Sequence, residues 1–92
     1  MNYKLGFHPK ALKEWEKLDS AIKDQFKKKL KEILQNPQIP KNRLRGSENL
    51  YKIKLKKSGF RLVYKVEDET LLVLVLIVAK REDVYKALLK RL

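Results

Sequence analysis

No cysteine occurs among the 92 residues, which excludes disulfide staples, thiolate metal sites and cysteine nucleophiles. His8 is the only histidine. A histidine-centred triad and a multi-histidine metal cluster are excluded with it, and neither a metal nor a cofactor is expected. Acidic residues are scarce, eleven against twenty-three Lys+Arg. They form no pair outside turns and helix surfaces, so glycosidase and two-metal chemistry have no support. The chain also shows no internal repeat, no low-complexity segment and no secretory hydrophobic region. Met1–Phe7 is short, interrupted and followed by no small-residue cleavage site. A soluble cytoplasmic protein is the expectation.

Hydrophobic residues make up 43% and charged residues 37%, too apolar for disorder and too charged for a membrane span. A chain of this length suits one domain, residues 1–92, with one modest core. The net charge of +12 costs self-repulsion in the folded state and points to a polyanionic partner. Its distribution says where. Between Ile33 and Val66 lie Lys41, Arg43, Arg45, Lys52, Lys54, Lys56, Lys57, Arg61 and Lys65 against the single carboxylate of Glu48. The segment before it mixes both signs, as a solvated helix face does, and after Val66 the charges cancel.

Tyr3, Leu5 and Phe7 alternate with Asn2, Lys4 and Gly6, the period of a half-buried strand. Pro9 then suits the first position of a helix, with His8 as its cap and Leu12, Trp15 and Leu18 on one face. Asp19-Ser20 reads as a break and N-cap, after which Ile22, Phe26, Leu30 and Ile33–Leu34 form a second apolar stripe that Asn36-Pro37 ends. Two helices joined by a tight corner is the economical reading, with one long helix as the alternative. Pro37–Asn49 reads as a loop.

From Leu50 the period becomes two. Tyr51, Ile53 and Leu55 face one way and Lys52, Lys54 and Lys56 the other, and Ser58-Gly59 signals a two-residue hairpin. That turn pairs Lys57 with Phe60, Leu55 with Leu62, Ile53 with Tyr64, Lys56 with Arg61 and Lys52 with Lys65. Like charges directly across a ladder destabilise it, so fold alone would not choose this arrangement. A second turn at Glu67–Glu69 leads into Thr70–Val78, apolar on both faces as a covered central strand requires, and too short to cross a bilayer as a helix. Glu82-Asp83 open a last helix, with Val84, Leu88 and Leu92 inward and Lys90-Arg91 at its end. The order βααβββα predicts an α+β domain: a helical hairpin and a C-terminal helix packed on a small, mostly antiparallel four-stranded sheet.

Lys52, Lys54 and Lys56 are the sharpest chemical feature. Same-face neighbours on a strand stand about 7 Å apart, close enough for the like charges to act on one another and suit one lysine to the work of a base. The plainer reading is an edge strand that lysines protect from aggregation. Arg61 across the turn favours the phosphate site. Arg81 lies between the long strand and the last helix, where a rigid scaffold can aim it, although the residues alone favour a plain surface arginine in the Lys80-Arg81-Glu82-Asp83 charge cluster. Tyr85, one turn on, is either a core-edge ring or a base-stacking platform. RNA carries its own nucleophile, the 2′-OH, so cleavage needs only proton removal, stabilisation of the added phosphorane charge and protonation of the leaving 5′-oxygen. Lysine and arginine supply the second directly and the others with difficulty, which predicts an RNase silent without help.

Six segments, Ala11–Leu18, Lys27–Leu30, Asn42–Gly46, Tyr51–Leu55, Ser58–Tyr64 and Lys80–Glu82, in that order and spacing, closely resemble the RelE family of bacterial toxins across essentially the whole chain. The resemblance implies a type II toxin that cleaves mRNA in the ribosomal A site. It implies that Lys52 and Lys54 flank the scissile phosphate with Lys54 as base, that Arg61 stabilises the transition state, and that Arg81 serves the leaving group. Tyr85 matches the family's C-terminal tyrosine, although the segment from Arg81 to Tyr85 is about two residues shorter than the family's form. Arg45, Lys27, Lys28, Lys29, Lys31 and Lys56 are the implied ribosomal RNA contacts. A RelB-like antitoxin is the implied protein partner. Two competing functions share the scaffold or the charge: a ParE-type inhibitor of DNA gyrase, whose relatives generally lack the basic set, and a passive basic RNA-binding protein.

Overall fold

Two side-chain caps divide the first third of the chain into separate helices. His8 Nδ1 accepts from the Lys10 N–H at 3.1 Å, and Asp19 Oδ1 accepts from the Ile22 N–H at 2.9 Å. Each satisfies a donor that a helix start leaves without a partner. The computed structural model describes residues 2–92. Its elements are β1 (Lys4–Phe7), α1 (Pro9–Glu16), α2 (Ser20–Ile33), β2 (Leu50–Lys54), β3 (Phe60–Glu67), β4 (Leu72–Lys80) and α3 (Arg81–Arg91), the predicted order. The Pro37–Asn49 loop contains one 3-10 turn at Pro40–Asn42.

The sheet order is β1-β4-β3-β2, with β1 parallel to β4 and the other pairs antiparallel. β4 is covered on both faces. Phe26, Leu30 and Ile33 of α2 pack with Ala11 and Leu18 on Leu62, Tyr64, Val73, Val75 and Val78. On the opposite face, Val84 and Leu88 of α3 pack on Val63, Leu76 and Ile77. A bulge makes this possible: Val63 pairs with Ile77 but Tyr64 with Val75, so Leu76 is the extra residue. Leu76 and Ile77 therefore both face α3, and the alternation of β4 reverses beyond them.

The structure corrects several sequence expectations. The hairpin register is displaced by two residues: Lys54 pairs with Arg61, Ile53 with Leu62, Tyr51 with Tyr64, Lys52 with Val63 and Leu50 with Lys65. The connection is a four-residue loop, Lys56–Gly59, in which the Gly59 N–H donates to the Leu55 carbonyl and the Leu55 N–H to the Phe60 carbonyl, both at 2.9 Å. Gly59 takes φ +78°, so the glycine closes a helical turn in the left-handed region instead of forming half of a two-residue turn. An even displacement leaves each residue on its expected face. β4 starts at Leu72 because Leu71, at φ 52°, belongs to the turn. Ala11, not Leu12, is the buried residue of α1, while Leu12 is exposed. Trp15 is half-buried against Phe7 and Phe26 at the edge of the core. Leu92, expected inward, is exposed because α3 ends one residue before it.

Candidate functional site: a cationic cleft between the hairpin turn and the last helix

The alternation in β2 buries Tyr51, Ile53 and Leu55 beneath α2 and leaves Lys52 and Lys54 on the α3 face. Arg61 shares that face, directly opposite Lys54 on β3. The first turns of α3 pass beside it, and Arg61 Nη1 donates to the Tyr85 hydroxyl at 3.3 Å. One hydrogen bond leaves most of the guanidinium fork free for an anion.

The hairpin turn and the β4–α3 junction are tied by their backbones. The Arg81 N–H donates to the Gly59 carbonyl at 2.8 Å. Lys80 Nζ donates to the Ser58 carbonyl at 3.1 Å and lies 4.7 Å from the centre of the Phe60 ring. Between these elements opens a cleft of about 430 Å³ lined by Lys54, Lys56, Lys57, Arg61, Lys80 and Arg81, with Glu82 the one carboxylate on its wall. Cations surrounding an open, hydrated cleft bind an oxyanion and stabilise charge that develops on it.

Of the candidates read from the sequence, Lys54, Lys56, Arg61 and Arg81 line this cleft, and Tyr85 borders it through Arg61. Lys52 does not line it. It sits two residue pairs further along β2, opposite Val63, and lines a second cleft with Lys29, Lys54 and Lys56. Lys28 and Lys31 flank a shallow depression on α2, while Lys27 and Arg45 are exposed on neither cleft. β2 is also an edge strand, so its lysines block pairing with another chain as well.

The sequence reading passed over Lys57 and Lys80, which belong to the cleft wall; their places in the hairpin turn and beside Arg81 were the available signal. It also missed a clamp that holds α3. The Arg91 guanidinium makes a two-pronged ion pair with Glu14 of α1, at 2.7 and 3.1 Å. The same pair meets the β4 edge beyond the end of β1: Glu14 Oε1 accepts from the Val78 N–H at 3.0 Å, and Arg91 donates to the Leu76 carbonyl at 2.9 Å. Two side chains thus supply bonds that a longer β1 would have made, and α3 is anchored at the end opposite Arg81.

The comparisons with known proteins agree with this architecture. The family described as ParE toxin of type II toxin-antitoxin system, parDE, matches residues 5–85. The chain is 52% identical over 94 aligned positions to the mRNA interferase toxin RelE of Escherichia coli, covering 100% of this chain and 99% of the relative. It is equally similar to mRNA interferase RelE of Shigella flexneri. Ninety-two residues across 94 positions leave at least two positions of these relatives without a counterpart here. Among solved structures, an arginine-to-alanine double variant of E. coli toxin RelE in the free state superposes with a TM-score of 0.90 at 51% identity, covering 100% of this chain and 99% of that one. RelE in the intact E. coli RelBE toxin-antitoxin complex gives 0.82 at 54% identity, over 85% and 95% of the two chains. The fold, the full-length identity and the ordered cationic motifs lead to one conclusion: this chain is a toxin of the RelE/ParE family of type II toxin–antitoxin systems, of the RelE type.

Proposed function

We propose that the protein is a ribosome-dependent endoribonuclease that cuts mRNA in the ribosomal A site. The observation that carries this reading is the convergence of Lys54, Arg61 and Arg81 on one cleft, with Tyr85 hydrogen-bonded at its border. The 2′-oxygen attacks the adjacent phosphorus as its proton passes to Lys54, which serves as the base. The P–O5′ bond breaks, the strand ends in a 2′,3′-cyclic phosphate, and Arg81 as the acid gives the departing 5′-oxygen the proton with which it leaves as a hydroxyl. Arg61 opposes the negative charge that grows on the non-bridging oxygens, and an arginine fork fits two of them at once. Tyr85, 43% exposed, offers a ring on which a base stacks. Arg45 and Lys27, Lys28 and Lys31 of α2 face ribosomal RNA, and a RelB-like antitoxin covers the basic surface between encounters. The ribosome supplies the orientation that an open cleft lacks.

The test is primer extension on a defined mRNA, with ribosomes holding an empty A site and without them. Cuts confined to the A-site codon and dependent on ribosomes support the reading; cutting of naked RNA contradicts the ribosome dependence. The family description also includes ParE, so folded protein that cuts under neither condition and inhibits DNA gyrase would replace the reading. Arg81→Ala should remove cleavage and growth arrest. The Arg81 side chain is exposed and the tie to Gly59 is made by the Arg81 backbone N–H, which alanine keeps, so the variant should keep its stability within about 0.5 kcal/mol.

A further inference from the structure

The second cleft is continuous with the first and has the same chemistry. It has a volume of about 530 Å³ and follows the outer edge of β2, lined by Lys29 and Glu32 of α2, Lys41 and Asn42 of the loop, and Lys52, Lys54 and Lys56. Lys54 and Lys56 belong to both clefts. The edge is open there for a structural reason. Arg43 bridges Tyr51 and the Leu44 N–H donates to the Leu50 carbonyl, which covers the start of β2, whereas from Lys52 onward β2 pairs only with β3. Five lysines face one carboxylate along this track.

We propose that this edge groove is a second nucleotide subsite, holding the backbone of the same RNA strand next to the cut phosphate, with Lys29, Lys41 and Lys52 on phosphate oxygens and Asn42 within reach of a ribose or base. This rests on the reading of the first cleft as an RNA site. Lys54 and Lys56, shared by the two clefts, offer a strand leaving the Arg61–Arg81 cleft a cationic path into the groove. The groove favours a nucleic acid over a protein segment because five ammonium groups line it, those on β2 block strand pairing along its edge, and of its apolar lining Ile33 and Ile53 are buried and Ile39 is half-buried. Lys52 thereby acquires a different task from Lys54: it holds the neighbouring nucleotide while Lys54 faces the reacting one.

The experiment measures binding of two single-stranded RNAs, a trinucleotide and a decanucleotide, each with 2′-deoxyribose at the cut position to block cleavage. The proteins are the full chain, Lys29→Ala/Lys41→Ala and Arg61→Ala. The double variant should bind the decanucleotide more weakly, with a plot of log affinity against log salt shallower by about 1.4 for two lost contacts. Its trinucleotide binding should not change, and Arg61→Ala should weaken both. If Arg61→Ala weakens both RNAs while the double variant binds each as the parent does, the groove is no subsite and the first cleft stands. If neither RNA depends on Arg61, the reading of the first cleft fails and the subsite with it. If the double variant keeps RNA affinity but loses affinity for an acidic peptide, the groove belongs to a protein partner and the proposal is overturned.

Discussion

Tyr64 is fully buried at the centre of β3, and its hydroxyl donates to the Pro37 carbonyl at 2.8 Å, fixing the loop that follows α2. Its ring stacks on Tyr51 with centres 5.6 Å apart, under the strand that carries the lysines. Burial, with a smaller contribution from Tyr51, pushes the Tyr64 hydroxyl well above the ordinary tyrosine range. The folded state then holds this proton at pH values where the unfolded chain releases it. The stability due to the neutral hydroxyl is complete below about pH 10 and declines as pH rises beyond it. Tyr64→Phe should lower stability by about 1–2 kcal/mol at neutral pH, because the Pro37 carbonyl loses its donor. Urea titrations should show that deficit shrinking above about pH 10, where only the parent has a buried hydroxyl to ionise.

At the scale of elements, α3 carries Arg81 and Tyr85 yet buries only Val84 and Leu88, and it leaves Leu89 80% exposed. Two apolar anchors hold a helix loosely, so the Glu14–Arg91 clamp determines how firmly the cleft wall is placed. Its side chains are 28% and 10% exposed, intermediate between a solvated pair and a desolvated one. Glu14→Ala removes an acceptor from the Val78 N–H and leaves the Arg91 charge without its partner. It should cost about 2 kcal/mol. Amide exchange across residues 84–91 should accelerate more than exchange in β3, and cleavage should fall although no group in the cleft is altered. Equal acceleration in both elements would mean that the clamp supports the whole fold and not α3 in particular.

For the whole molecule, the +12 charge sits on a body with a radius of gyration of 12.2 Å. The screening length is about 10 Å at 0.1 M salt and about 30 Å at 0.01 M. At low salt every cation therefore acts on every other across the protein. Two salt responses of opposite sign should follow. Thermal denaturation should show the free protein stabilised as salt rises from about 0.01 to 0.3 M, because self-repulsion is screened. RNA affinity should fall over the same range, and Lys28→Glu should weaken ribosome binding further while making its salt dependence shallower, because fewer phosphate contacts remain. A free protein that loses stability with added salt would mean that its ion pairs outweigh its repulsion.

Local chemistry determined much of this protein. His8, Pro9 and Asp19 set the helix starts through bonds within three residues, and the period-two pattern after Leu50 decided which side of β2 is lysine and which is core. The resemblance carried by Tyr51–Leu55, Ser58–Tyr64 and Lys80–Glu82 identified the family and selected the cationic residues. Contacts between distant parts of the chain decided the rest. The parallel pairing of β1 with β4 and the bulge at Leu76 depend on how two layers of helices cover one sheet. The hairpin register depends on Gly59 closing a helical turn, an alternative that Ser58-Gly59 leaves open in sequence. Glu14 and Arg91 lie 77 residues apart. Nothing local signals their bond, because each is an ordinary charge on an ordinary helix until β4 presents an unpaired edge between them. The division of the lysines is tertiary too: Lys52 and Lys54 are equivalent by period, and only the position of α3 and the open edge of β2 place Lys54 on both clefts and Lys52 on the second alone.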